Sequence, residues 1–194
     1  MKRIPSFIVA LAMVASSLAF ISCASTPMSK SEKEQQQGSV RDMANKALAD
    51  LYAKNPAART EVSKAAGYAV FSDFGFKFIF MGGAGGSGLA VNNANKQETF
   101  MKMAEFQPGL GFGAAKFRVV FIFETLETFN SFVTSGWEAG ANAMAIARTK
   151  GEGGALAGAV TVSKGVKMIQ LNDEGGIVGV SITAAKYYKD KELN

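Results

Sequence analysis

The 194-residue chain reads as an α+β protein built mainly on antiparallel strands, with two N-terminal helices and one inserted helix. Three observations predict this. Short β-rich runs alternate with tight-turn signals from Gly67 to the end of the chain. Helical crossovers between those runs are nearly absent, which disfavours a parallel sheet. The sheet segments are also rich in Gly and Ala: Gly109, Gly111 and Gly113 alternate, as do Ala139, Ala141, Ala143, Ala145 and Ala147. At a period of two, each set lines one strand face with almost no side-chain volume. Such a face either packs closely against another layer or forms a shallow groove in which a ligand meets backbone.

The first segment, residues 1–22, has the layout of a secretory signal. Lys2 and Arg3 precede an apolar stretch from Phe7 to Ile21, and the small Ser22 stands before Cys23. The stretch is about 15 residues, short of the roughly 20 that span a bilayer as a helix. Phe20-Ile21-Ser22-Cys23 resembles a bacterial lipobox, with Phe in place of the usual Leu. The resemblance implies a thioether diacylglycerol on Cys23 and cleavage between Ser22 and Cys23. Cys23 is the sole cysteine, and lipidation accounts for both its number and its place. Several acyl chains on one residue hold a protein on a membrane, at about 0.8 kcal/mol per buried methylene. Ala24 after the cysteine favours the outer over the inner membrane by resemblance to lipoprotein sorting, so the expected location is the cell envelope, facing the periplasm.

Residues 23–38 then read as a lipidated flexible tether, without aromatic or hydrophobic period. The domain proper is expected over 39–194. Ser39 can cap a helix in which Val40, Met43, Ala44, Ala47, Leu48 and Leu51 share a face. Pro56 opens a second helix through Ala65 or Ala66, stopped by Gly67. Strands are expected at Tyr68–Asp73, Phe76–Met81, Ser87–Asn92, Glu98–Glu105, Gly109–Ala114 and Phe117–Phe123. The inserted helix follows at Leu126–Ser135, capped by Thr125 and stopped by Gly136. The remaining strands are Glu138–Ala147, Ala155–Ser163, Val166–Leu171 and Ile177–Ala185.

Composition narrows the chemistry. The chain has no histidine, which removes His-based triads and His-ligated zinc. A net charge of +5 is too weak a bias for nucleic acid. Gly83-Ala84-Gly85-Gly86-Ser87-Gly88 satisfies the dinucleotide fingerprint literally, but a short strand and turn follow where the mechanism needs a helix N-terminus. A glycine-rich hairpin is expected there, and no nucleotide. Glu124 and Glu127 open the inserted helix, where its dipole explains them, and Asp173 and Glu174 sit in a turn. Neither pair is placed for paired-carboxylate catalysis, so no enzyme, metal or cofactor is expected. Among the scattered basic residues, Lys77, Lys116, Arg118, Arg148 and Lys150 are the candidates for anionic phospholipid headgroups.

Several segments together resemble the SYLF domain family. They are Ala65-Ala66-Gly67-Tyr68-Ala69-Val70-Phe71, the glycine-rich Gly82–Gly88, Gly109-Leu110-Gly111-Phe112-Gly113, Phe117–Phe123, Phe132–Gly140 and the closing Lys186-Tyr187-Tyr188-Lys189-Asp190. The resemblance covers roughly Arg59 to Asn194 and is closest to an exported bacterial branch. It implies non-catalytic lipid binding, with phosphoinositides the ligands of eukaryotic members and actin a partner of fungal members. For this chain the expectation is a lipid-binding domain on an acylated anchor. The alternative is a structural protein that recruits envelope protein partners. Acylation predicts that the mature N-terminus, measured by intact mass, carries a diacylated or triacylated Cys23. An unmodified Cys23 or an uncleaved chain contradicts it.

Overall fold

The computed structural model describes residues 28–139, 158–178 and 184–194, with side chains described outside 74–82, 106–115, 139 and 184. The signal segment, Cys23, and most of the alanine-alternating stretch therefore lie outside the described residues.

Helix α1 spans Lys30–Lys54 and starts well before Ser39, so much of the expected tether is helical. A capping box sets the start. Ser29 Oγ accepts from the Glu32 amide at 3.3 Å, and the Glu32 carboxylate accepts from the Ser29 amide at 2.9 Å. The first turns are then held by polar contacts to the C-terminus, where Lys33 Nζ donates to the Asn194 carbonyl and Gln37 Nε2 to that of Leu193. Such contacts leave no hydrophobic period, which is why residues 30–38 read as a coil. Farther along, Val40, Ala44, Ala47, Leu48 and Leu51 are buried on one face, as their spacing requires. Helix α2, Pro56–Lys64, begins at its proline and buries Ala58 and Val62. Its last carbonyls are met by Asn93 Nδ2, which donates to Val62 and Ala65.

The six strands expected between residues 68 and 123 are two long ones. Strand β1 spans Gly67–Asn92 and β2 spans Glu98–Phe123, joined at a turn over 93–95 and paired antiparallel from Gly67↔Phe123 to Val91↔Glu98. Gln107-Pro108-Gly109, whose composition reads as a turn signal between the strands expected at Glu98–Glu105 and Gly109–Ala114, is thus no turn. Its trace in the ladder is a register shift: Met81 pairs Pro108 while Ile79 pairs Gly111, and a residue with no amide hydrogen cannot complete the regular pattern. Gly82–Gly88 lies within β1, one arm of the long β1–β2 hairpin, and more strand follows it.

Helix α3 occupies Leu126–Ser135, with Thr125 as cap and Gly136 closing it at φ +76. The other strands are β3 Trp137–Ala139, β4 Ala159–Ser163, β5 Val166–Asn172, β6 Ile177–Val178 and β7 Ala184–Lys189. Among the described residues the sheet runs β3-β7-β2-β5-β4, with β1 also on β2 and β6 on β5, and every pairing is antiparallel. Strand β2 is the centre. Beside β1, its first half pairs β7 over 101–106 and its second half pairs β5 over 117–123. The fold is α+β, as expected.

Both faces of this sheet are covered. Val70, Leu89, Val91, Val120, Ile122, Ile169 and Leu171 pack under α1 and α2 in an outer layer. The alternate residues Ala69, Phe71, Met101, Met103, Phe121, Phe123 and Tyr187 pack with α3 Phe129 and Phe132 in an inner layer. That layer is joined by edge-on ring contacts, such as Phe71–Tyr187 at 4.8 Å and Phe121–Tyr187 at 5.0 Å. Curling of the hairpin brings the two ends of β1 together. A Cβ at Gly88 would overlap the Phe71 ring, and one at Gly86 would overlap the Ser72 carbonyl. By contrast a Cβ at Gly85 has its nearest neighbour 4.0 Å away. Urea unfolding should therefore find Gly88→Ala destabilised by about 1–3 kcal/mol and Gly85→Ala within about 0.5 kcal/mol of the parent.

Candidate functional site

Of the five expected headgroup residues, Arg148 and Lys150 lie outside the described residues. Lys77 stands in β1 opposite Gly113, with its side chain undescribed. Lys116 and Arg118 lie two apart on β2 and so share the outer face. They have opposite fates.

Arg118 is buried and committed, so it is corrected from a headgroup ligand to a structural residue. Nη1 donates to Asp50 of α1 at 2.6 Å, and Nη2 donates to the carbonyls of Asn172 and Asp173 at 3.1 and 3.0 Å. Those carbonyls belong to the turn after β5, whose Gly175, at φ +80, packs against the Asp50 side chain. One guanidinium thus ties α1, β2 and that turn together. Its hydrogen bond, with that of Lys46, holds the Asp50 carboxyl below the usual carboxylate range.

Lys116 is half-exposed, and its one ion pair is long, 3.8 Å to an exposed Asp173. Such a pair contributes little, so the ammonium remains able to meet an anion. It borders a groove of about 370 Å³ between α1 and β1. Ser39, Val40 and Met43 form the α1 wall, and Ser72, Asp73, Gly85, Gly86 and Ser87 form the β1 wall. Glycines at 85 and 86 leave the wall at backbone level. The hydroxyls of Ser39, Ser72 and Ser87 make no hydrogen bond among the described residues. The groove therefore offers one cation, three hydroxyls, two apolar side chains and, at its β1 wall, the largely buried carboxyl of Asp73. Gly109, Gly111 and Gly113, whose strand face is expected either to pack closely or to form a groove, do not border this one: Gly111 and Gly113 pair Ile79 and Lys77 in the β1–β2 ladder, and Gly109 falls in its register shift. Ser39, Ser72 and Ser87 carried no signal in the sequence, because they meet only when β1 curls beneath α1.

No family model matches the chain. It is similar to Beta cell expansion factor A of Aeromonas veronii. The two are 32% identical over 156 residues, which is 79% of this chain and 57% of that relative. The chain thus spans little more than half the length of the curated protein it matches.

Elsewhere the carboxylates are accounted for by structure. Glu124 sits 3.4 Å from Lys167, which also pairs Glu61 at 3.0 Å. Glu127, also at the start of α3, borders a separate cleft with Trp137. Among the described residues no three potential metal ligands cluster.

One carboxylate is anomalous. Asp73, the inner-face neighbour of Phe71 along β1, is 5% exposed, and its Oδ1 has no hydrogen-bond partner. Burial, with the nearby Glu105 charge second, pushes its pKa up to about 6. Burial also raises the Tyr187 phenol, with Glu105 and Asp73 adding to the effect. Since the folded-state pKa lies above the unfolded one, this residue's stabilising contribution is complete below the unfolded value. It is lost as pH rises through about 6. Relative to the parent, Asp73→Asn should gain stability between about pH 4 and pH 7, by at most about 3 kcal/mol. Urea unfolding across that range checks this, and a parallel pH dependence of the two proteins contradicts it.

Proposed function

We propose that this chain is a SYLF-type domain that binds phospholipid or another amphiphile without catalysis, held at the bacterial envelope by an acylated Cys23. The observation that carries the reading is the groove between α1 and β1. A half-exposed ammonium beside three uncommitted hydroxyls suits an anionic headgroup. Val40 and Met43 suit the first methylenes of an acyl chain. The lipobox and the SYLF resemblance support the same conclusion independently.

The anchor assists this role. Six residues lie between Cys23 and Lys30, a reach of about 25 Å when extended. Ser39 lies about 14 Å farther along α1. An acylated Cys23 therefore keeps the groove near the bilayer, where a high effective headgroup concentration makes modest intrinsic affinity sufficient. The expected setting is the periplasmic face of the outer membrane.

Flotation with phosphatidylglycerol vesicles at low salt tests the reading, using the mature chain from residue 23 with Cys23→Ser so that neither the signal segment nor acyl chains contribute. The domain should float, and Lys116→Ala should weaken association about fivefold, as expected for one lysine near an anionic surface. Absence of any association refutes the proposal. Crosslinking that then returned a single envelope protein would favour partner recruitment instead.

A further inference from the structure

A second cleft lies on the opposite side of the sheet, where α3 crosses the hairpin end of the inner layer. It measures about 390 Å³. Asn92 closes β1, Gln97 and Thr99 open β2, Asn130 and Thr134 come from α3, and Lys189 ends β7. Phe129 and Val133 of α3 complete the lining as apolar surface. No carboxylate borders it.

Its amides differ from their neighbours. Asn93 closes α2, the Asn92 and Asn95 carbonyl oxygens accept backbone amides within the hairpin turn, and Asn194 Nδ2 donates to Phe100 and Asp190. The side-chain amides of Gln97 and Asn130, the Thr99 hydroxyl and the Lys189 ammonium have no such partner among the described residues. The Asn92 amide nitrogen is likewise uncommitted. Several neutral donors and acceptors thus converge on one cleft beside apolar carbon.

The chemistry excludes most ligand classes. A metal ion or organic cation would meet the Lys189 ammonium with no carboxylate in the lining to offset it. An acyl chain would leave the amides unpaired, at a cost of about 1–3 kcal/mol each. Ring hydroxyls match them, since each hydroxyl donates and accepts as a side-chain amide does. The C–H face of a sugar ring suits the partly buried Val133, backed by the core residue Phe129, and Lys189 adds preference for a carboxylated ring. We propose that this cleft is a binding site for a short acidic saccharide. It shares no residue with the α1–β1 groove, so either site can fail without the other.

Amide NMR of the Cys23→Ser chain, titrated with trigalacturonate, tests the proposal. Saturable shifts are expected at Gln97, Thr99 and Asn130, with a Kd on the order of 1 mM. Maltotriose, which has the hydroxyls without the charge, should bind about fivefold more weakly, and Lys189→Ala should remove that preference. The double variant Gln97→Ala/Asn130→Ala changes only exposed side chains, so it should unfold like the parent while losing the shifts. No saturable shift with either sugar overturns the proposal. So do shifts that persist in the double variant, or the same shifts produced by inorganic phosphate alone.

Discussion

The second half of β2 places Val120 and Ile122 in one apolar layer and Val119, Phe121 and Phe123 in another. Burying each large side chain contributes about 1.5–3 kcal/mol, so both faces of this strand must be kept dry. Every other element answers to that constraint. Helices α1 and α2 cover one face and α3 covers the other, while β1, β5 and β7 take up the hydrogen bonds along both edges of β2. An antiparallel strand open to water on one side alternates apolar and polar residues. Here the run from Val119 to Phe123 does not alternate, because neither side faces water.

The groove follows from how α1 is fixed on the outer layer. Leu48 and Leu51 pack it down, and the buried Arg118 holds Asp50 and the turn after β5 together. A buried charge left without partners is severely destabilising, so this arrangement sets the position of α1 as well as holding it. Two helical turns toward the N-terminus, Gly85 provides no side chain to fill the space beneath Ser39, Val40 and Met43, while Gly86 lets the chain pass close to the Ser72 carbonyl. A tight anchor at one point and a wall of glycine at another leave an opening, and Lys116 stands at its edge. The function read from the chain depends on this mismatch between close packing and small residues.

Much of this was legible in local sequence. Helix α3, its Thr125 cap and its Gly136 stop followed from capping chemistry alone. The buried face of α1 followed from its spacing, and the turn at 93–95 from its asparagines. What escaped depends on contacts distant in sequence. The first turns of α1 are secured by Leu193 and Asn194, so no periodicity marked them. Glycine and proline within β1 and β2 looked like turns, whereas long-range pairing carries both strands through them. Arg118 looked like one surface cation among several, because nothing near it in sequence reveals Asp50, which neutralises it, or the two carbonyls that accept from its Nη2. The serines of the groove were silent for the same reason. In each case the decisive partner lies on another element.

Native mass spectrometry of the Cys23→Ser chain, purified from envelopes in a detergent that can be removed, tests amphiphile binding by the folded domain most directly. A domain with a built groove should retain a stoichiometric adduct with the mass of an envelope phospholipid, and Lys116→Ala should lower its occupancy. A domain that emerges folded and without adduct, in the presence of excess phospholipid, would contradict it.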